Sequence, residues 1–178
     1  MSARKLLLAG CLVTNALFFV ACSDDDDDIS NPAISDRDKN FMITASYGNH
    51  SEIDMGATAD SVSANGGVSL YGQMMVADHT TAQAELDDIG NAWIVDLPDN
   101  PDTVHLRLKQ QLLTLSGYSF DTAYINAQIR DHNVNIALFE DAAANSDQQR
   151  LKDYANKYLP KLRMHLQMAD SIAATLNP

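Results

Sequence analysis

Residues 120–140, FDTAYINAQIRDHNVNIALFE, decide how this chain folds. Ile125, Ile129, His132, Ile136 and Phe139 recur at steps of three and four, so a helix gathers them on one face. His132 interrupts that stripe with a polar ring, where hydrocarbon would pack at lower cost. Three other segments of helical length each carry one polar residue at a comparable point of an apolar stripe: Glu52, His79 and His165. Stripes broken once near their middles predict an all-α four-helix bundle with a polar layer at mid-height.

Working outward, Ser35 or Asp36 can cap a first helix reaching to about residue 63. Its inward stripe is Phe41, Ala45, Gly48, Glu52, Met55, Ala59 and Val62. Asn65-Gly66-Gly67 breaks the chain tightly enough for an antiparallel neighbour over residues 68–92. That helix presents Val68, Gly72, Met75, Val76, His79, Ala82, Leu86 and Trp93. Residues 96–102 hold Pro98 and Pro101 and form a loop. Asp99 or Asn100 is expected to cap a short helix with Pro101 in its first position and Gly117 at its end. Loop and short helix together suffice for an extra crossover of the ferritin kind, with His105 at the solvated surface. Ser119 or Asp121 caps the central helix. Ser146-Asp147-Gln148-Gln149 matches a capping box and opens the last one. There Tyr158, Leu162, His165, Ala169, Ile172 and Leu176 share a face. Pro160 predicts a kink that frees the carbonyl of Asn156.

The first 21 residues stand apart. Arg4 and Lys5 precede the apolar run LLLAGCLVTNALFFVA, a pattern of export rather than of a membrane span. Phe19-Val20-Ala21-Cys22 resembles the lipobox at which a bacterial signal peptide is cut and the new N-terminal cysteine acylated. Leu8-Ala9-Gly10-Cys11 fits the consensus letter for letter, but leaves an apolar core of about five residues, short of the usual 7 to 15 or so. Residues 1–21 are therefore read as a lipoprotein signal peptide, Cys22 as the lipidation site, 22–35 as an acidic tether and 36–178 as the bundle. No cysteine then remains for a disulfide, and packing alone must hold the fold. Loss of Arg4 and Lys5 leaves 10 basic against 24 acidic residues, about −14, which disfavours nucleic acid as a partner. The aspartate run at 24–28 resembles the acidic export signal of Bacteroidetes surface lipoproteins; a self-repelling spacer is the alternative. A membrane partner, reached through lipid on Cys22, and an outer-membrane location facing the periplasm or the cell exterior are the expectations.

Helix centres near residues 49, 80, 132 and 162 put Glu52, His79, His132 and His165 within roughly 5 Å of one level, whichever way the helices run. Three imidazoles and a carboxylate suit a divalent transition metal such as zinc, iron or copper. The same residues also suit a buried hydrogen-bond network in which Glu52 is ionised against one protonated histidine. Glu85 and Glu140 lie towards helix ends and read as flanking surface acids.

Over residues 36–176 the chain resembles the ferritin-like family known as domain of unknown function 4142, a group of secreted or outer-membrane proteins. The resemblance is carried by Met75-Val76-Ala77-Asp78-His79, Phe120-Asp121, Asp131-His132 and Leu159-Pro160 followed by His165. It implies a helical bundle and no agreed activity. Di-iron ferritins place a carboxylate three residues before the histidine; here those positions are Val76, Ile129 and Leu162, which argues against a di-iron oxidase. The expectation is a non-enzymatic envelope protein holding a metal ion or small ligand at the bundle centre. The alternatives are a metal-dependent oxidase or hydrolase using the same cluster, and a purely structural or interaction module.

Overall fold

The computed structural model describes residues 33–176. The expected signal segment 1–21, the lipidation site Cys22 and the aspartate run 24–28 lie outside the described residues. The helices are α1 (Asp36–Val62), α2 (Gly66–Ala92), α3 (Thr103–Leu112), α4 (Gly117–Asn145) and α5 (Gln149–Leu176), and the described residues contain no strand.

Two apolar clusters fill the interior, and together they give the topology. One takes Phe41, Met42 and Ala45 from the start of α1, Leu86 and Ile89 from the end of α2, Phe139 from the end of α4 and Leu151 to Leu162 from the first half of α5. The other takes Met55 and Ala59, Val68 to Met75, Phe120 to Ile125, and Ala169 with Leu176 from the opposite halves of the same helices. Helices α1 and α5 thus run one way, α2 and α4 the other. The hairpins α1–α2 and α4–α5 join through α2 against α5 and α1 against α4. Because α2 and α4 are parallel, the chain between them must climb the bundle again, and α3 does so against α1 and α4. This is a ferritin-like helical bundle. Between the two clusters lies the polar layer.

Local chemistry sets the helix ends, in places differently from the expectation. Ser35 caps α1, its Oγ accepting from the Asp38 amide at 3.3 Å. Asn65 Oδ1 accepts from Gly67 at 2.9 Å and Val68 at 3.3 Å, so α2 starts at Gly66 despite its two glycines. Asp102, and not Asp99 or Asn100, caps α3 by taking the Val104 and His105 amides. Pro101 therefore precedes the cap. Helix α3 stops at Leu112, and Gly117, with φ +54°, opens α4 instead of closing α3. Ser119 and Asp121 lie inside α4, where Asp121 accepts the Ser63 hydroxyl at 2.5 Å. The box expected at Ser146 does not form. The wholly buried Asp38 of α1 reaches across to accept from Asp147 at 3.1 Å and Gln148 at 3.0 Å. Helix α5 continues through Pro160, whose ring lies at an exposed position.

Helices α1 and α2 come into close backbone contact at Gly56 and Gly72. A Cβ on Gly72 would stand 2.5 Å from the Gly56 carbonyl oxygen, and one on Gly56 2.6 Å from that of Gly72. Only hydrogen fits between these backbones.

Candidate metal centre

Glu52 on α1, His79 on α2, His132 on α4 and His165 on α5 meet in the layer between the two apolar clusters. Each is at most 4 % exposed. The imidazole rings form a triangle, with centroids 6.1 Å apart for His79–His132, 5.5 Å for His79–His165 and 5.4 Å for His132–His165. One ring nitrogen from each of the three lies within 4.8 Å of the others. Glu52 lies outside that group. Its Oε1 stands 3.7 Å from His132 Nδ1, on the side of the ring turned from the triangle's free nitrogens.

The tautomer of each ring is fixed by what its other nitrogen touches. For His79 the chain of hydrogen bonds begins in the loop, at Pro98. The Pro98 carbonyl can only accept, so the Ser46 hydroxyl, 2.7 Å away, donates to it. Ser46 Oγ must then accept from Gln83 Nε2 at 3.0 Å, and the Asp87 carboxylate accepts from the same Nε2 at 2.7 Å. That leaves Gln83 Oε1 to accept from Asn49 Nδ2 at 3.2 Å. Asn49 consequently turns Oδ1 to His79 Nδ1 at 2.9 Å, and this nitrogen carries the proton. Tyr154 agrees with this orientation: its hydroxyl donates to the Ala82 carbonyl and accepts from Asn49 Nδ2.

His132 is fixed by its own helix, Nδ1 donating to the Gln128 carbonyl one turn back at 2.9 Å. His165 is fixed by a carboxylate, Nε2 donating to Asp78 Oδ2 at 2.9 Å. Burial works against the charge on Asp78, but Lys161 and His165 outweigh it and hold its pKa below the usual carboxylate value. The nitrogens left over, His79 Nε2, His132 Nε2 and His165 Nδ1, are buried without a hydrogen-bond partner. Each ring thus keeps one lone pair free to bind an ion.

Burial also keeps the rings neutral. It pulls His165 down to about 4, with neighbouring His132 lowering it further and Asp78 opposing. It drives His79 well below 6.5, helped by repulsion from His132 and His165. His132 moves down for the same first reason, although its bond to Gln128 opposes. Burial pushes Glu52 up to about 8, opposed by the neighbouring Gln128 side chain, which favours its charged form. The expected network of ionised Glu52 against a protonated histidine is thus not what this environment favours. Acid and rings are both neutral at pH 7.

Two cavities flank the layer. A small one, about 10 Å³ and at the lower limit for a single water, touches His79, His165, Asp78, Asn49 and Lys161. A larger one of about 160 Å³ opens between α1, α3 and α4 beside Glu52. His105 borders it and is not a freely solvated residue. Its Nδ1 is 2.7 Å from Asp102 Oδ2, and its Nε2 is 3.9 Å from Asp131 Oδ2. Glu85 and Glu140 face outward, on Lys157 and Arg163 respectively, as surface acids should.

Sequence periodicity did not find the residues that orient the rings. Asn49, Gln83, Asp78 and Gln128 have no signature of their own. Two had usable positions: Asn49 lies one turn before Glu52, and Gln128 is four residues before His132.

A family model described as "Domain of unknown function (DUF4142)" matches residues 25–172. Among solved structures, the chain is similar to the crystal structure of a DUF305 fragment from Deinococcus radiodurans, at 12% sequence identity and a TM-score of 0.72. The likeness covers 81% of this chain and 99% of that one, and at this identity it concerns the fold alone. None of the curated proteins matches.

Proposed function

This chain belongs to the family Domain of unknown function (DUF4142), and we propose that its bundle holds one transition-metal ion on His79, His132 and His165. One observation carries the reading. Three imidazoles are each anchored through one nitrogen to a separate acceptor, their other nitrogens are buried and unpartnered, and one nitrogen from each ring lies within 4.8 Å of the rest. An oxygen acceptor behind each coordinating ring is what metal-bound histidines use to fix tautomer and direction. Leaving such nitrogens unpaired costs about 1–3 kcal/mol each, a large share of a domain's stability of roughly 5–15 kcal/mol. A bound cation offsets that cost.

Three neutral imidazoles without thiolate suit zinc or copper, with iron next. Bonds of about 2.0–2.1 Å would draw the three nitrogens, now within 4.8 Å of one another, closer together, a small movement for side chains on separate helices. Glu52, next to His132 but outside the triangle, is not a fourth ligand; a cation bound beside it favours its charged form, and the proton it then releases leaves a carboxylate that offsets the ion's charge. In the cell the chain is an envelope lipoprotein: cut before Cys22, anchored there by lipid to the outer membrane, with the acidic tether setting the bundle off the surface. It binds the ion without turning over a substrate.

Calorimetric titration of metal-free, untagged protein tests this. Zinc or copper should bind at one ion per chain, and His132→Ala should weaken binding at least 100-fold. Protein that binds none of zinc, copper and iron above the His132→Ala background would remove the proposal.

A further inference from the structure

An ion bound in a layer that is at most 4 % exposed must have a way in, and the flanking cavities differ sharply as routes. On one side, the small cavity is lined by Lys161, whose ammonium lies on Asp78 at 2.6 Å. A cation there meets a like charge and almost no free space. On the other side, the 160 Å³ groove between α1, α3 and α4 is lined by Glu52, Asp102, His105 and Asp131 and by no lysine or arginine. Its polar groups form a descending series. Asp102, His105 and Asp131 are all partly exposed, with side chains 31 %, 23 % and 22 % accessible, and Glu52 is buried beneath them. Two oxygens in this series have no hydrogen-bond partner: Asp131 Oδ2 and, on a side chain 1 % exposed, Glu52 Oε2. Glu52 is also the residue that touches the histidine layer, 3.7 Å from His132.

We propose that this groove is the port through which a divalent cation reaches the three histidines, with Asp131 and His105 as its outer acceptors and Glu52 as the inner one. The proposal rests on the histidine centre described above. These groups do not close into a ligand set: among the described residues no three of them come together as the histidines do, and His105 with Asp131, 3.9 Å apart, offers an ion only two ligands. So sparse a set fits a hydrated ion that is handed on, since a transit site must bind weakly enough to release. The basic residues nearby do not obstruct it. Lys109 is occupied by Asp54, while Arg107 and Arg130 line a neighbouring depression beyond His105.

The test is the rate of loading. Metal-free full-length protein is mixed with cobalt(II) chloride in stopped flow, and the visible absorption of imidazole-bound cobalt is followed. A port changes both rates and leaves the end point alone. Asp131→Asn with His105→Gln should slow uptake and release about tenfold, with the equilibrium affinity kept within about threefold. Val134 lines the groove at an exposed position, so Val134→Lys should fold normally and slow uptake by placing a cation at the mouth. Lys157→Met, a surface change on α5 outside both cavities, should change neither rate. Unchanged rates in the groove variants, or equal slowing in Lys157→Met, would overturn the port and leave the histidine centre standing. Wild-type protein that takes up no cobalt, zinc or copper would overturn both.

Discussion

His165 Nε2 stands 2.9 Å from Asp78 Oδ2, a helix-to-helix contact that turns the opposite ring nitrogen toward His79 and His132. The carboxylate is itself tied down, its other oxygen accepting from Lys161 at 2.6 Å. Asp78 therefore acts on the centre through His165, without reaching it.

Asp78→Ala should lower metal affinity by about 10–100-fold, the usual effect of losing an acceptor behind a coordinating ring. Asp78→Asn, whose amide oxygen can still accept, should retain most of it. Isothermal titration of both variants with zinc checks this, and equal losses in the two would deny the orienting role.

The metal-free protein should be most stable near pH 6.5. The histidines have folded pKa values below 6.5, so their contribution is present above 6.5 and is lost as pH falls towards those values, about 4 for His165. Glu52 has the opposite sense. Its folded value near 8 against 4.5 makes its contribution full below 4.5, and this is lost as pH rises through 8. From 4.5 to 6.5 His79 and His165, helped by His132, outweigh Glu52, and stability climbs. From 6.5 to 8 Glu52 dominates and stability falls, by up to about 1.4 kcal/mol per pH unit. Urea midpoints measured across this range should trace that maximum, and Glu52→Gln should flatten the limb above 6.5. A wild-type curve still rising at pH 8 would mean that Glu52 is ionised.

Much of this was legible beforehand, for a physical reason. Burial of one face imposes a period of 3.6, and a histidine in the stripe shows as a break in that period, so His79, His132 and His165 stood out. Helix direction did not matter, because each lies near the middle of its own helix. What stayed hidden was contact between elements. Asp38 caps α5 from α1, over 100 residues away, so no local pattern at Ser146 could show it. Likewise the role of Asp78 depends on a partner on α5, and its place beside His79 in sequence says nothing of that. His105 reads as a surface residue because its partner Asp131 comes from another helix.

Asp38→Ala should destabilise the fold by about 2 kcal/mol. It strips the Asp147 and Gln148 amides of a buried charged acceptor at the start of α5. The loss should appear in chemical denaturation with the denaturant slope unchanged. A variant within 0.5 kcal/mol or so of wild type would assign the capping to water instead.

The proposed anchoring rests on the N-terminal sequence. Cys22→Ser should abolish incorporation of radiolabelled palmitate and leave protein uncleaved or free of membranes, while Cys11→Ser should change neither. Reversal of the two results would move the processing site to Cys11. Replacing the aspartates at 24–28 by alanine should lower the fraction open to protease on whole cells without altering the fold.

The most direct test of the centre is X-ray absorption at the metal edge of protein loaded with one equivalent of zinc. Three anchored imidazoles predict three nitrogen scatterers at about 2.0–2.1 Å with the outer-shell pattern of histidine rings, and one further light atom. In His132→Ala the imidazole count should fall. A shell made of oxygen alone, or an imidazole count unchanged in that variant, would place the ion elsewhere and contradict the three-histidine site.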